Sequence, residues 1–160
     1  MSLNQLEESP ESHKRKVLIA IDGSENSSRI IQWSIENILV PDLHIAVLTH
    51  VREGAIPQIE YSFYAAPQEF PEPLTLDSNY HESHQMILDL AIPLIENSIT
   101  TNGIVLKGDI CEALISQAVE VNAEMIIIGS SKEKWIIRQI LGSVADSVIQ
   151  NAPCTVVIAK

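Results

Sequence analysis

Basic residues are scarce in this 160-residue chain, with 10 Lys+Arg against 21 Asp+Glu and a formal net charge of −11. So acidic a surface lacks the basic footprint that nonspecific binding to nucleic acid or an anionic membrane needs, and mainly implies solubility. Cysteine is nearly missing. Cys111 and Cys154 are too few for a disulfide scaffold and lack metal-ligand spacing, so they read as reduced, structural thiols of an intracellular protein. No apolar run approaches the ~20 residues that span a bilayer. The first residues are polar and acidic, without the apolar stretch of a signal peptide. These absences predict a cytoplasmic protein without nucleic-acid or membrane partners. The short basic cluster Lys14-Arg15-Lys16 reads as a solvated flank before a strand, not as a localisation signal.

Catalytic signatures are missing too. Gly129-Ser130-Ser131 is not continued into Gly-x-Ser-x-Gly, and there is no strong Walker lysine motif. No residue stands out as a general base. His81 and His84 are spaced to share a helix face, but no cysteine or second pair completes a metal site. His50 reads as a packed or hydrogen-bonded histidine. The expectation is a protein without catalytic residues or a metal centre of its own, capable at most of slow hydrolysis.

What the chain does have is apolar material, 46% of its residues, enough for one packed domain. Residues 1–15 read as a flexible tail. Val17-Leu-Ile-Ala-Ile21 is a continuous apolar run, the mark of a strand buried on both faces of a parallel sheet. Helical spacing follows over 27–39, with Trp33 as a core or helix–sheet contact. A second strand is predicted over 43–51. Residues 53–76 hold four of the eight prolines and the aromatics Tyr61, Phe63, Tyr64 and Phe70, without sustained periodicity. They read as a long loop insertion and a candidate surface for an unknown protein partner. A helix over 77–97, kinked at Pro93, leads to a short strand at 104–106. A helix at 110–121, a strand at 125–128, a helix at 143–150 and a last strand at 154–159 complete the chain.

Strands alternate with helices throughout. That predicts a single α/β domain over 16–160, with a five-stranded, mostly parallel sheet and helices on both faces. Ligands of such sheets sit beyond the strand carboxyl ends where strand order reverses. The strands at 17–21 and 125–128 should flank that point, so Asp22-Gly23-Ser24 and Gly129-Ser130-Ser131 should share a crevice. Backbone N–H groups at the second strand end and at the Gly142-Ser143 helix start suit a phosphate. Lys132, Lys134 and Arg138 are three of only ten basic residues and share one loop with a single acid, Glu133, a local charge inversion that favours an anionic ligand. Trp135 in the same loop reads as a packing residue. Ser143-x-x-Asp146 has an additional reading as a capping box. The last strand, apolar and β-branched, should lie at a sheet edge and invite association.

The chain resembles the universal stress protein family over residues 16–160. The resemblance is carried by Val-Leu-Ile-Ala-Ile-Asp22-Gly-Ser-Glu-Asn-Ser, Gly108-Asp109 with Glu112, Ile-Ile-Ile-Gly129-Ser, Leu-Gly142-Ser143-Val-Ala and Asn-Ala-Pro153-Cys-Thr-Val-Val. The long loop is more similar to plant-like members than to short bacterial ones. The resemblance implies an adenine nucleotide alpha hydrolase-like, Rossmann-like architecture. It implies a stress-response or signalling homodimer joined through 154–159 that binds ATP or AMP, with Mg2+ on the triphosphate. It further implies the ligand contacts. Asp22 would accept hydrogen bonds from the adenine or ribose side, beside Ala20 and Ile21. Val51 would touch the base. Ile128 and Gly129 would form the strand-end wall. Ser131 and Lys132 would reach ribose or phosphate. Gly142, Ser143, Val144 and Ala145 would offer N–H groups to phosphates. Lys132 stands where the family's nucleotide loop has a second glycine. A nucleotide-free dimeric interaction protein is therefore the alternative expectation.

Overall fold

The computed structural model describes residues 13–54, 58–67, 81–130 and 142–159. In chain order the elements are β1 (Arg15–Ile21), α1 (Glu25–Asn37), β2 (His44–Glu53), β3 (Gln58–Ala65), α2 (His81–Glu96), β4 (Thr100–Gly108), α3 (Ile110–Glu120), β5 (Met125–Gly129), α4 (Ser143–Asn151) and β6 (Thr155–Ala159). They build one sheet in the order β3-β4-β2-β1-β5-β6. Every neighbouring pair is parallel except β3 and β4.

The apolar run of β1 explains its central place. Val17, Ile19 and Ile21 point to one face, where they meet Ile30 and Ile31 of α1 and Ile87, Leu90 and Leu94 of α2. Leu18 points to the other face and joins Leu114 and Ala118 of α3 with Ala145 and Val148 of α4. A strand alternates its side chains, so only a sheet covered on both sides buries such a run completely. Leu18 and Ile19 are both fully buried. Each such side chain contributes roughly 1.5–3 kcal/mol of burial. Trp33 packs against the first of these layers.

Two polar groups on α1 are buried without cost because they bond locally. Ser34 donates from Oγ to the Ile30 carbonyl at 2.7 Å, and Ser27 is bonded to Asp22. The Lys14-Arg15-Lys16 cluster runs into β1 itself. Lys14 Nζ donates to Thr100 Oγ1 at 3.0 Å, and Arg15 Nε lies 3.5 Å from Glu124 Oε2. Helix α2 continues through Pro93, with the Asn97 N–H and Nδ2 both donating to the Pro93 carbonyl.

Among the described residues the sheet has six strands, where the sequence predicts five. The extra one, β3, lies inside the segment expected to be a loop. It pairs antiparallel to β4, and its register shifts between Ile59 and Tyr61. Such a bulge breaks the alternation by which a strand is read from sequence. Phe63 stands opposite Gly103, whose missing side chain makes room for the ring. Residues 55–57 and 68–76 of that segment lie outside the described residues, as do 1–12 of the expected tail. The last strand does lie at the sheet edge, as β6.

Candidate functional site

Strand β1 pairs with β2 on one side and β5 on the other, so strand order reverses between β1 and β5. A cavity of about 290 Å³ opens there, small for a ligand site but of the right order. Of the residues the sequence assigned to the site, Ala20, Ile21, Asp22, Val51, Ile128, Gly129, Gly142, Ser143, Val144 and Ala145 line it together. Ser131 and Lys132 lie outside the described residues, and with them Lys134, Trp135 and Arg138.

One wall is the turn after β1. Gly23 takes φ +78°, a conformation that glycine adopts without penalty. The chain thereby doubles back, and Asp22 Oδ1 accepts from Ser24 N–H at 3.0 Å, Ser24 Oγ at 2.6 Å and Ser27 Oγ at 2.9 Å. The Ser27 hydroxyl in turn accepts from the Asp22 N–H at 3.0 Å. Partial burial pushes this carboxyl upward, but the hydrogen bonds from Ser24 and Ser27 outweigh it and hold it below its ordinary value. Asp22 is therefore an anion at neutral pH, with one oxygen supplied with donors.

The opposite wall is the start of α4. The helix begins at Ser143, and Gly142 is its N-cap with no side-chain cap. This corrects the capping-box expectation. Ser143 occupies the first helical position, one residue too late to cap, and Asp146 Oδ2 accepts instead from Gln150 Nε2 at 3.2 Å. The first-turn N–H groups, which have no acceptor inside a helix, are thus left beside the cavity. Gly142 has an ordinary φ of −55°, and a Cβ there would meet nothing within 4 Å. Neither strain nor packing among the described residues demands a glycine at this position. Gly129 is the reverse case, because a Cβ there would run into Asn26 and Ile30.

Five lining residues escaped the sequence reading: Asn26, Ile30, Thr49, Ile110 and Leu114. Thr49 lies two positions before Val51 on the same strand face, and Leu114 one turn after Ile110 on the same helix face, so periodicity alone would have found them. Asn26 gave no periodic signal. His50 is hydrogen-bonded, its Nδ1–H reaching the Ile21 carbonyl at 3.0 Å. His84 is buried while His81 is exposed, so the two rings do not share an open surface. Burial and the neighbouring His81 lower the pKa of His84. Among the described residues no cluster of three His, Cys, Asp or Glu side chains could hold a metal ion, and no helix is long and apolar enough to cross a membrane. Both cysteines are half-buried, and burial raises the Cys154 thiol.

The fold is shared with solved proteins. A universal stress protein family protein from Arabidopsis thaliana with AMP bound superposes with TM-score 0.63 at 20% identity, over 91% of each chain. A universal stress protein in complex with cAMP gives 0.63 at 16% identity, over 92% of this chain and 97% of the other. The stress response protein NhaX of Bacillus subtilis is 26% identical over 164 aligned residues, 92% of this chain and 99% of its own length. The family profile described as universal stress protein family matches residues 14–160. With β1, the Asp22 turn, the Gly142 helix start and β6 all inside that match, the chain belongs to the universal stress protein family.

Proposed function

We propose that this stress protein binds an adenine nucleotide, ATP or AMP, in the crevice between β1 and β5 and acts as a sensing or signalling homodimer. One observation carries the reading. A helix N-terminus with no side-chain cap, at a glycine whose Cβ would meet no described atom within 4 Å, shares a cavity with an ionised carboxylate. The first suits a phosphate and the second suits the hydroxyls or amines of a nucleoside. That solved relatives of the same fold carry AMP or cAMP supports the assignment.

In this reading Asp22 accepts from the nucleoside, with Ala20 and Ile21 beside it and Val51 against the base. Ile128 and Gly129 form the strand-end wall. The N–H groups of Ser143, Val144 and Ala145 hold phosphate oxygens, and the absent side chain of Gly142 lets them approach. Ser131 and Lys132 extend the site toward ribose or phosphate. Asp22 is the one carboxylate among the described lining residues, and its Oδ1 is occupied by donors. Mg2+ would therefore ride on the triphosphate rather than on these side chains. Dimerisation runs through β6, whose Val156, Val157 and Ile158 are only half-buried at the sheet edge.

The test begins with protein purified without added nucleotide. It is denatured, and released small molecules are identified by chromatography and mass spectrometry. Titration calorimetry with AMP and Mg-ATP follows. Stoichiometric adenine nucleotide, or saturable uptake, is expected. Protein that is empty and takes up neither compound would leave the nucleotide-free interaction dimer as the working reading.

A further inference from the structure

Asn26 stands at the second position of α1 and lines the cavity, half-buried, although no sequence motif singled it out. Its amide orientation is fixed by chemistry. Arg29, one helical turn further on, donates from Nη2 to Asn26 Oδ1 at 2.6 Å. A guanidinium can only donate, so the oxygen must face Arg29 and the NH2 must face away. The amide nitrogen lies against Gly129, so close that a Cβ on that glycine would run into it. Gly129 lines the same cavity. The NH2 group thus presents two donors at the strand-end wall, and no hydrogen bond from Nδ2 to an acceptor is formed among the described residues.

We infer that Asn26 is a further ligand-binding residue, donating from Nδ2 to an anionic phosphate oxygen held beside Gly129, and that Arg29 is its positioning residue. The inference rests on the nucleotide reading and deepens it. It adds a side-chain donor from α1 to the backbone donors of α4, so that phosphate is gripped from two helices. Arg29 does two things at once. It locks the amide against flipping, which would otherwise turn the carbonyl oxygen toward the anion. It also polarises that amide, because a hydrogen bond accepted from a cation strengthens the donors on the other side. Asp22, which lines the same cavity, is an acceptor and cannot take this role.

The experiment compares AMP with adenosine by calorimetry on the full chain, for wild type, Asn26→Ala, Asn26→Asp, Arg29→Met and Arg29→Lys. Thermal unfolding verifies that each variant is folded. Asn26→Ala is expected to weaken AMP about tenfold, the worth of one charge-assisted hydrogen bond, while adenosine affinity stays within about twofold. Asn26→Asp keeps the Arg29 contact and the shape but replaces donors with an anion, so AMP should fall on the order of a hundredfold with adenosine again spared. Arg29→Met should lower AMP affinity about threefold and Arg29→Lys should restore it, a rescue that loss of helix packing would not give. Wild-type binding with an unchanged AMP-to-adenosine ratio in both Asn26 variants overturns this inference alone. Equal losses for AMP and adenosine move Asn26 to the nucleoside and overturn it as well. A wild type that binds neither compound overturns the nucleotide reading and the inference with it.

Discussion

The helices α3 and α4 lie side by side on one face of the sheet and begin under the same constraint, since the first N–H groups of any helix lack an internal acceptor. At α3 the chain supplies the acceptor itself. Asp109 is the N-cap, and its Oδ1 accepts from the Glu112 N–H at 3.0 Å. At α4 the cap is Gly142, and among the described residues no side chain caps it. Both starts stand at the carboxyl ends of strands. The capped one closes a local structure; in the proposed reading the other offers its N–H groups to a phosphate. The anion site proposed above sits at the open start, and the capped neighbour is its internal control.

The strongest way to break the contrast is to cap α4 artificially. Gly142→Asp places a carboxylate where the phosphate is proposed to sit. Binding of AMP should fall by at least about 100-fold, from like-charge repulsion and occupied donors. The same change should stabilise the unliganded protein by roughly 0.5 kcal/mol, because Asp is a better cap than Gly and suits the helix dipole. Opposite signs in calorimetry and in thermal unfolding are the signature. Gly142→Val should lose binding without the gain in stability. If Gly142→Asp binds AMP normally, the loop assignment fails.

A second contrast separates the two cavity glycines. Gly142→Ala adds a methyl where no described atom lies within 4 Å, so stability should fall only by the difference between Gly and Ala as N-caps, below about 1 kcal/mol, while binding weakens. Gly129→Ala drives a methyl into Ile30, which is buried, and into Asn26, which is held by Arg29. Overpacking of this kind costs about 2 kcal/mol. For a domain of this size that is a fall of roughly 4–8 °C in Tm. A Gly129→Ala protein as stable as wild type would show that this glycine is not required by packing.

Sharpening the comparison from the other side, Asp109→Ala should remove the α3 cap and cost about 1 kcal/mol of stability. AMP affinity should remain within about twofold, since Asp109 serves the helix and not the ligand. Urea denaturation and calorimetry on the same preparation decide it. A large loss of binding would mean that the α3 start also belongs to the site.

How far the sequence revealed this arrangement depends on which physical signal each part carries. The central strands were legible because a doubly covered strand must be apolar at every position, as Val17 to Ile21 and Met125 to Ile128 are. The flank Thr100-Thr-Asn-Gly103 belongs to β4 as well, but its polar residues hid it, and only 104–106 was visible. β3 was missed because its bulge at Ile59/Tyr61 interrupts the alternation. Of the site, Asp22, Gly129 and Gly142 announced themselves by the breaks they make after or before regular elements. Asn26 did not, because what brings it to the cavity is the turn at Gly23 and the packing of α1 against the end of β5, which no local pattern encodes. The one-residue error at Ser143 has a similar cause. Ser-x-x-Asp fits a capping box, and only the helix start shows that Gly142 already holds the cap position.

The smallest effect concerns Asp22, which is the counterpart of α4 inside the cavity: an acceptor already supplied with donors, opposite a helix start with no side-chain cap among the described residues. Its carboxyl is held below the ordinary value because the bonds from Ser24 and Ser27 outweigh partial burial. A group whose pKa falls on folding stabilises the fold fully above its unfolded value, and that contribution is lost as pH drops through the folded value. Wild type should therefore lose stability more steeply than Asp22→Asn between about pH 5 and pH 3, and the two curves should run parallel above about pH 5. The asparagine variant keeps an oxygen for the Ser24 N–H, so its fold should persist and the comparison stay fair. Urea midpoints measured across that range without ligand test it. Equal slopes in the acidic range would mean that the donors around Asp22 do not favour its charged form, and that the cavity's two walls are less opposed than their geometry suggests.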